Sequence, residues 1–317
     1  MQIAMRLSGL LLSLSLALPA VTSAADGVAD TALYWAVSRD GEPAGYLLGT
    51  IHSEDPRVLD FSESLIEQLG SVDQFAMEMV PDLPTLNRLT EYMHYQDGSA
   101  LEDRIGPERF ERVRSALSGY RMPPDWIAGM KVWAAMMTLS VPPPKTGLFM
   151  DFSLSLRAAG SGLKVIGLET LEEQLSFLES MPMEQQLALL DQALDEFDRI
   201  GEVHDEMVDH YLAGDLGGLE AKTDEQLGAL SPEARQYFVE EGIVARNRRM
   251  VDALLPKLAD GTVFIAVGAL HLPGESGLIQ SLRDRGYELR PLPLPLSSAQ
   301  GGNEAHEQGD DQEGNAP

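Results

Sequence analysis

Apolar residues along this chain follow two patterns. Some form short unbroken runs, the signature of strands covered on both faces. Others return every three or four positions, the signature of helices with one covered face. Leu33 to Val37 and Gly45 to Leu48 flank Arg39-Asp40-Gly41 and read as a hairpin. Gln74 to Met79, Leu163 to Leu168, Thr262 to Val267 and Tyr287 to Leu289 read as further strands. Ser62 is placed to cap a short helix carrying Leu65, Ile66 and Leu69, and Pro107 to open another with Phe110, Val113 and Leu117 on one face. Trp126, Met130, Trp133 and Met137 form one stripe at helical spacing, read as core. Gly147 to Ala159 reads as a helix, and Leu187, Leu190, Leu194 and Phe197, then Val244, Val251, Leu254 and Leu258, mark two more. The fold class predicted is α/β: a central mixed sheet built from two βαβ-like units, residues 46–79 and 264–289, with large helical insertions at about 81–146 and 171–259.

The two units share a motif. Tyr46-Leu47-Leu48-Gly49-Thr50-Ile51-His52 and Ile265-Ala266-Val267-Gly268-Ala269-Leu270-His271 are each an apolar run followed by Gly-x-x-His, and they use two of the six histidines. A glycine lets the chain turn as it leaves the strand. The histidine then falls beyond the strand's carboxyl end, the edge where open α/β sheets bind ligands. The repetition points to a shared site built by duplication. Neutral imidazole is the commonest transition-metal ligand.

Other polar residues interrupt apolar surroundings. Glu78 and Glu169 each close a strand, and a carboxylate there is costly unless paired or bound to a metal. His52, His271, Glu78 and Glu169 on one edge would form a hard-to-borderline metal site with room for water, one glutamate serving as general base. Asn247 falls on the apolar stripe of its helix and needs an internal partner. Arg246 beside it suits a carboxylate or a developing oxyanion. Asp151 stands at a helix start, where an acid also steadies the helix end. His204 and His210 lie six apart, off one helical face, and offer no pattern.

Composition narrows the setting. The net charge of −27 disfavours nucleic acid and anionic lipid. The chain has no cysteine, which excludes disulfides and thiolate chemistry. Arg6, the apolar stretch Leu7 to Leu18 and Thr22-Ser23-Ala24-Ala25 read as a cleaved signal peptide over 1–25, predicting a periplasmic or secreted protein. One domain is expected over 26–290, followed by a disordered acidic tail over 291–317.

The two Gly-x-x-His segments, with Gly167-Leu168-Glu169-Thr170, Arg246-Asn247-Arg248-Arg249-Met250 and Val267-Gly268-Ala269-Leu270-His271-Leu272-Pro273-Gly274, resemble the TraB/GumN family over about residues 31 to 290. That family is similar to the TIKI metalloproteases, which cleave secreted proteins. The resemblance implies an exported protein with a divalent metal (Mn, Co or Zn) at His52 and His271. It also carries the family's strand-end glutamates onto Glu78 and Glu169, its Arg-Asn pair onto Arg246 and Asn247, and its helix-start aspartate onto Asp151. Ala245 stands where members often carry an acid. The function expected is a metal-dependent, peptidase-like hydrolase acting on peptide or protein substrates in the cell envelope. The glutamate that is not a ligand would activate water, and Arg246 or Asn247 would hold the oxyanion. The alternatives are a non-catalytic haem- or metal-binding protein, or an accessory factor in polysaccharide or envelope assembly.

Overall fold

Six strands form one mixed sheet in a computed structural model that describes residues 31–228 and 230–297. The strands are β1 (Tyr34–Arg39), β2 (Glu42–Thr50), β3 (Gln74–Met77), β4 (Lys164–Gly167), β5 (Val263–Gly268) and β6 (Glu288–Leu292). Their order across the sheet is β4-β3-β5-β2-β1-β6. β2, β5, β3 and β4 run parallel, β1 is antiparallel to both β2 and β6, and so β6 shares the direction of the parallel four. The expected hairpin is β1–β2, with Asp40 and Gly41 both at positive φ in its turn.

The two βαβ-like units interleave rather than standing side by side. β5, from the second, lies between β2 and β3 of the first. In this arrangement Gly49 stands opposite Val267 and Thr50 opposite Gly268, so the two Gly-x-x-His segments leave the sheet next to each other. Neither motif glycine is in the left-handed region. Gly49 is required by contact instead: a β-carbon there would meet Leu272 Cδ1 at 2.7 Å and Ala269 Cα at 2.9 Å. The reason for this glycine is close approach to the second motif's turn, not a sharp bend of its own strand.

β5 is buried at every position, as its uninterrupted apolar run requires. Its alternate side chains serve two cores. Phe264 and Ala266 pack with Leu48, Phe75 and Met77 beneath helices Glu63–Gly70, Met150–Gly160 and Ile200–Leu212. Val263, Ile265 and Val267 pack with Leu47, Ala76 and helices Ala245–Asp260 and Leu278–Arg283. The insertions form a third core around Trp133, Leu175, Leu190 and Phe238. A π-helical turn, Glu240–Val244, joins helix Pro232–Val239 to Ala245–Asp260.

Several expectations change. The Trp126–Met137 stripe is two helices, Pro124–Gly129 and Val132–Leu139, broken where Met130 turns extended and bridges His94. β4 is an edge strand of half-buried and exposed residues, not a buried one. The stretch after residue 290, expected to be disordered, is ordered as far as it is described. Pro291 and Leu292 pair with Trp35 and Tyr34, Ser297 N–H donates to Asp60, and Leu296 is fully buried and bridges Phe61. Local pairing and one anchored leucine outweigh the composition of this segment. Residues 298–317 and the signal segment expected over 1–25 lie outside the described residues. No helix among the described residues is long and apolar enough to cross a membrane.

Leu296→Ala is expected to destabilise the protein by about 2–5 kcal/mol, as for other buried leucines. Denaturant unfolding of the variant beside the parent checks it.

Candidate functional site

The carboxyl edge of the sheet collects every residue singled out above. His52 follows β2 and His271 closes a short 3-10 turn after β5. Glu78 follows β3 directly, and Glu169 stands two residues after β4. Arg246 and Asn247 enter from the helix that begins just after the π-helical turn, and Asp151 sits in the first turn of Met150–Gly160. All seven are buried.

One group is ionic. Arg246 donates to Glu169 Oε2 from Nε at 2.9 Å and from a terminal nitrogen at 2.7 Å, and to Glu78 Oε2 at 2.5 Å. Gln174 Nε2 also donates to Glu78 Oε2, at 3.0 Å, and the Gly268 amide to Oε1 at 2.8 Å. Arg249 lies 3.5 Å from Glu169 Oε1. Burial pushes Glu78 up, but the Arg246 guanidinium beside it and the Gly268 amide hold its carboxyl below the ordinary value. For Glu169, burial prevails over Arg246 and raises it. Glu78 is thus the carboxylate held ionised. Burial opposes the charge on Arg246, and its two carboxylates more than restore it.

The second group orients imidazoles. Asn247 Nδ2 donates to the Ser276 carbonyl at 2.8 Å, which turns Oδ1 toward His271 Nδ1 at 2.6 Å. Asp151 accepts from the Thr50 hydroxyl and faces His52 Nδ1 at 3.3 Å. Each Nδ1 therefore meets an acceptor and carries the proton, leaving Nε2 a bare lone pair. Both Nε2 atoms are buried without a partner. His271 Nε2 is 3.8 Å from Glu78 Oε1. Burial, with Arg246 adding and Glu78 opposing, pushes His271 down to about 4.

This chemistry bears on a metal. The orphaned Nε2 atoms, each with its Nδ1 held by an acceptor, fit the donor set of a cation. Glu169 does not fit, because Arg246 and Arg249 occupy its oxygens. Among the described residues no three His, Asp or Glu side chains form a group that could hold a metal ion. The expected set of two histidines and two glutamates is corrected accordingly: the glutamates are tied by a guanidinium. Arg246 and Asn247 also depart from their expected oxyanion role. The first is spent on two carboxylates, and the second on Ser276 and His271.

Two hollows meet at His52. One is a chamber of about 80 Å³ lined by His52, Asp151 and Gly268 together with side chains from the helical insertions. The other is an open cleft of about 360 Å³ running past Glu54, Pro142 to Lys145 and Phe149. Phe149 stacks on the His52 ring with centroids 3.9 Å apart. Glu54 accepts from the successive amides of Lys145, Thr146 and Gly147, which holds this segment beside the site. His204, expected to carry no role, lines both hollows, with Nε2 3.5 Å from the His52 carbonyl. Burial lowers its pKa. Its signal was the face Ile200, His204, Met207, at helical spacing, rather than its distance from His210. Thr50 and Gln174 were also missed; Thr50 ends the apolar run of β2, and Gln174 shares a helix face with Leu171 and Leu178.

Residues 33–291 match the TraB/PrgY/gumN family, and the chain belongs to it. It is 30% identical over 312 residues to "Metalloprotease TIKI1" of Danio rerio, which covers 82% of this chain and 63% of that one. It is 27% identical over 312 residues to "Metalloprotease TIKI homolog" of Nematostella vectensis, covering 80% and 66%. It is 27% identical over 243 residues to "Uncharacterized protein YbaP" of Escherichia coli K12, covering 75% and 87%. The chain thus spans about six tenths of the TIKI proteins it matches. No solved structure matches it significantly.

Removing the shared cation exposes the ionic group. Arg246→Met is expected to cost about 3–5 kcal/mol, because it strands two buried carboxylates. Adding Glu78→Gln and Glu169→Gln should recover much of that loss, read by denaturant unfolding. His271 gives a pH signature. In metal-free protein the unfolded chain binds the histidine proton near the ordinary 6.5 and the folded chain only near 4, so stability falls as pH drops through that window. His271→Gln should flatten the slope there.

Proposed function

We propose that this protein is an exported metal-dependent hydrolase that cleaves peptide or protein substrates. The observation that carries this reading is the pair of buried, unpartnered Nε2 atoms of His52 and His271, each fixed in tautomer through Nδ1, on adjacent parallel strands. Membership of the TraB/PrgY/gumN family and the metalloprotease names of the TIKI relatives support it. Export rests on the sequence of residues 1–25.

His52 and His271 would hold the cation (Mn²⁺, Co²⁺ or Zn²⁺) through Nε2; Glu78 Oε1 lies 3.8 Å from His271 Nε2. When bound, such an ion polarises a carbonyl and lowers the pKa of water beside it. The chain's own residues do the rest. Asp151 and Asn247 keep the two rings in the ligating tautomer. Glu78, ionised, takes the proton of the attacking water on Oε1, while Arg246 and Gln174 hold its other oxygen. Glu169 acts through Arg246, as a positioning residue.

The test is cleavage of a mixed peptide pool, followed by mass spectrometry, with protein stripped by chelator and then reloaded with Mn²⁺, Co²⁺ or Zn²⁺. Cleavage should vanish on stripping, return on reloading, and fall at least 100-fold in His52→Ala and in His271→Ala. Cleavage that survives chelator in both variants, or no cleavage with any of the three ions, overturns the reading.

A further inference from the structure

The apolar wall of the chamber beside His52 has no part in the chemistry just derived, yet the chamber opens onto the same imidazole. Its wall is apolar: Ile51, Val141, Ile200, Met207, Leu219 and Leu270. These come from the end of β2, the turn after β5, the segment after helix Val132–Leu139, and helices Ile200–Leu212 and Leu216–Gln226. Of the polar side chains that reach it, Thr50 and His52 Nδ1 are both engaged by Asp151. Ser140 donates back to the Met136 carbonyl. His204 and Gln226 remain, and neither carries a fixed charge. No lysine or arginine lines the space, and its one carboxylate is engaged. A charged group entering here would lose its hydration without a counter-charge, whereas a hydrocarbon group would lose nothing.

Size narrows the occupant further. About 80 Å³ holds more than a few waters and less than a drug-sized ligand. That is room for one aliphatic side chain. The open cleft, by contrast, is several times larger and partly polar, lined by Glu54, Asp55, Lys145 and Asp205. Both hollows share His52, Val141 and His204. A larger, partly polar cleft with a smaller, mainly apolar side pocket, joined at His52, is the shape that fits an extended chain with one inserted side chain.

We infer that this chamber is the specificity pocket of the site. It takes a single uncharged aliphatic side chain (Leu, Ile, Val or Met) of a peptide whose backbone lies in the cleft, next to the bond presented at His52. The inference rests on the hydrolase reading for its position relative to a cleaved bond. The pocket itself is tested without cleavage.

The binding arm uses protein carrying ¹³C-labelled Ile and Met methyls, stripped of metal, and titrated with N-acetyl-leucinamide, N-acetyl-alaninamide and N-acetyl-lysinamide. The Ile51, Ile200 and Met207 methyls should shift with the leucine compound at concentrations at least tenfold below those needed for the other two. Met207→Trp, which fills the chamber from one lining position, should abolish that preference, and Ser140→Leu, from another, should do the same if the first variant folds poorly. The cleavage arm compares peptides differing at one position beside the cut. The parent should prefer Leu or Met over Ala and Lys by at least tenfold in kcat/KM, the range one or two methylenes support, and both filling variants should lose that preference while still cutting the Ala peptide. Equal response to the three amides overturns the inference even if the protein cleaves peptides. A leucine preference in the methyl shifts with no cleavage by any metal form overturns the hydrolase reading and leaves the pocket standing.

Discussion

One guanidinium between two carboxylates organises the sheet edge. Arg246 reaches Glu78 and Glu169, side chains from neighbouring strand ends, with only 3% of its own side chain exposed. None of the three tolerates burial alone. Together they force the helix bearing Arg246 to sit across the ends of β3 and β4. That placement presents the next residue, Asn247, to His271. The ionic cluster and the oriented imidazole are therefore consequences of one packing constraint.

The sequence displayed the outline of this arrangement and hid its wiring. Apolar runs ending in Gly-x-x-His placed the histidines correctly past two strands. The polar Asn247 on an apolar stripe correctly announced an internal partner. What single residues do not reveal is which partner they choose. Glu78 and Glu169 read equally well as metal ligands or as members of an ion pair, because both satisfy a buried charge. Only the three-dimensional approach of Arg246 decides. Order beyond residue 290 was likewise invisible to composition, because it depends on Leu296 reaching Phe61, far earlier in the chain. The Trp126–Met137 stripe kept its spacing across a helix break, since periodicity records which residues are buried and not whether the backbone is continuous.

The sheet and the insertions divide the labour. The sheet fixes the buried histidines and carboxylates at rigid strand ends. The insertions, with a core of their own, supply the roof: Ser140 and Val141 at the end of one, Ile200, His204 and Met207 in the other. The lining of the chamber can therefore drift with the roof while the edge beneath stays fixed. Such a division is consistent with one family holding members whose names include both a protease and proteins without an assigned role.

The π-helical turn at Glu240–Val244 adds a last consequence. It works as a phase shifter, since one surplus residue in a helix rotates everything after it by about 100°. Excising a residue such as Gly242 would leave composition and length almost untouched, yet would swing the guanidinium away from its acids and offer Asn247 in its stead. Chain length in this helix is thus as tightly constrained as side-chain identity.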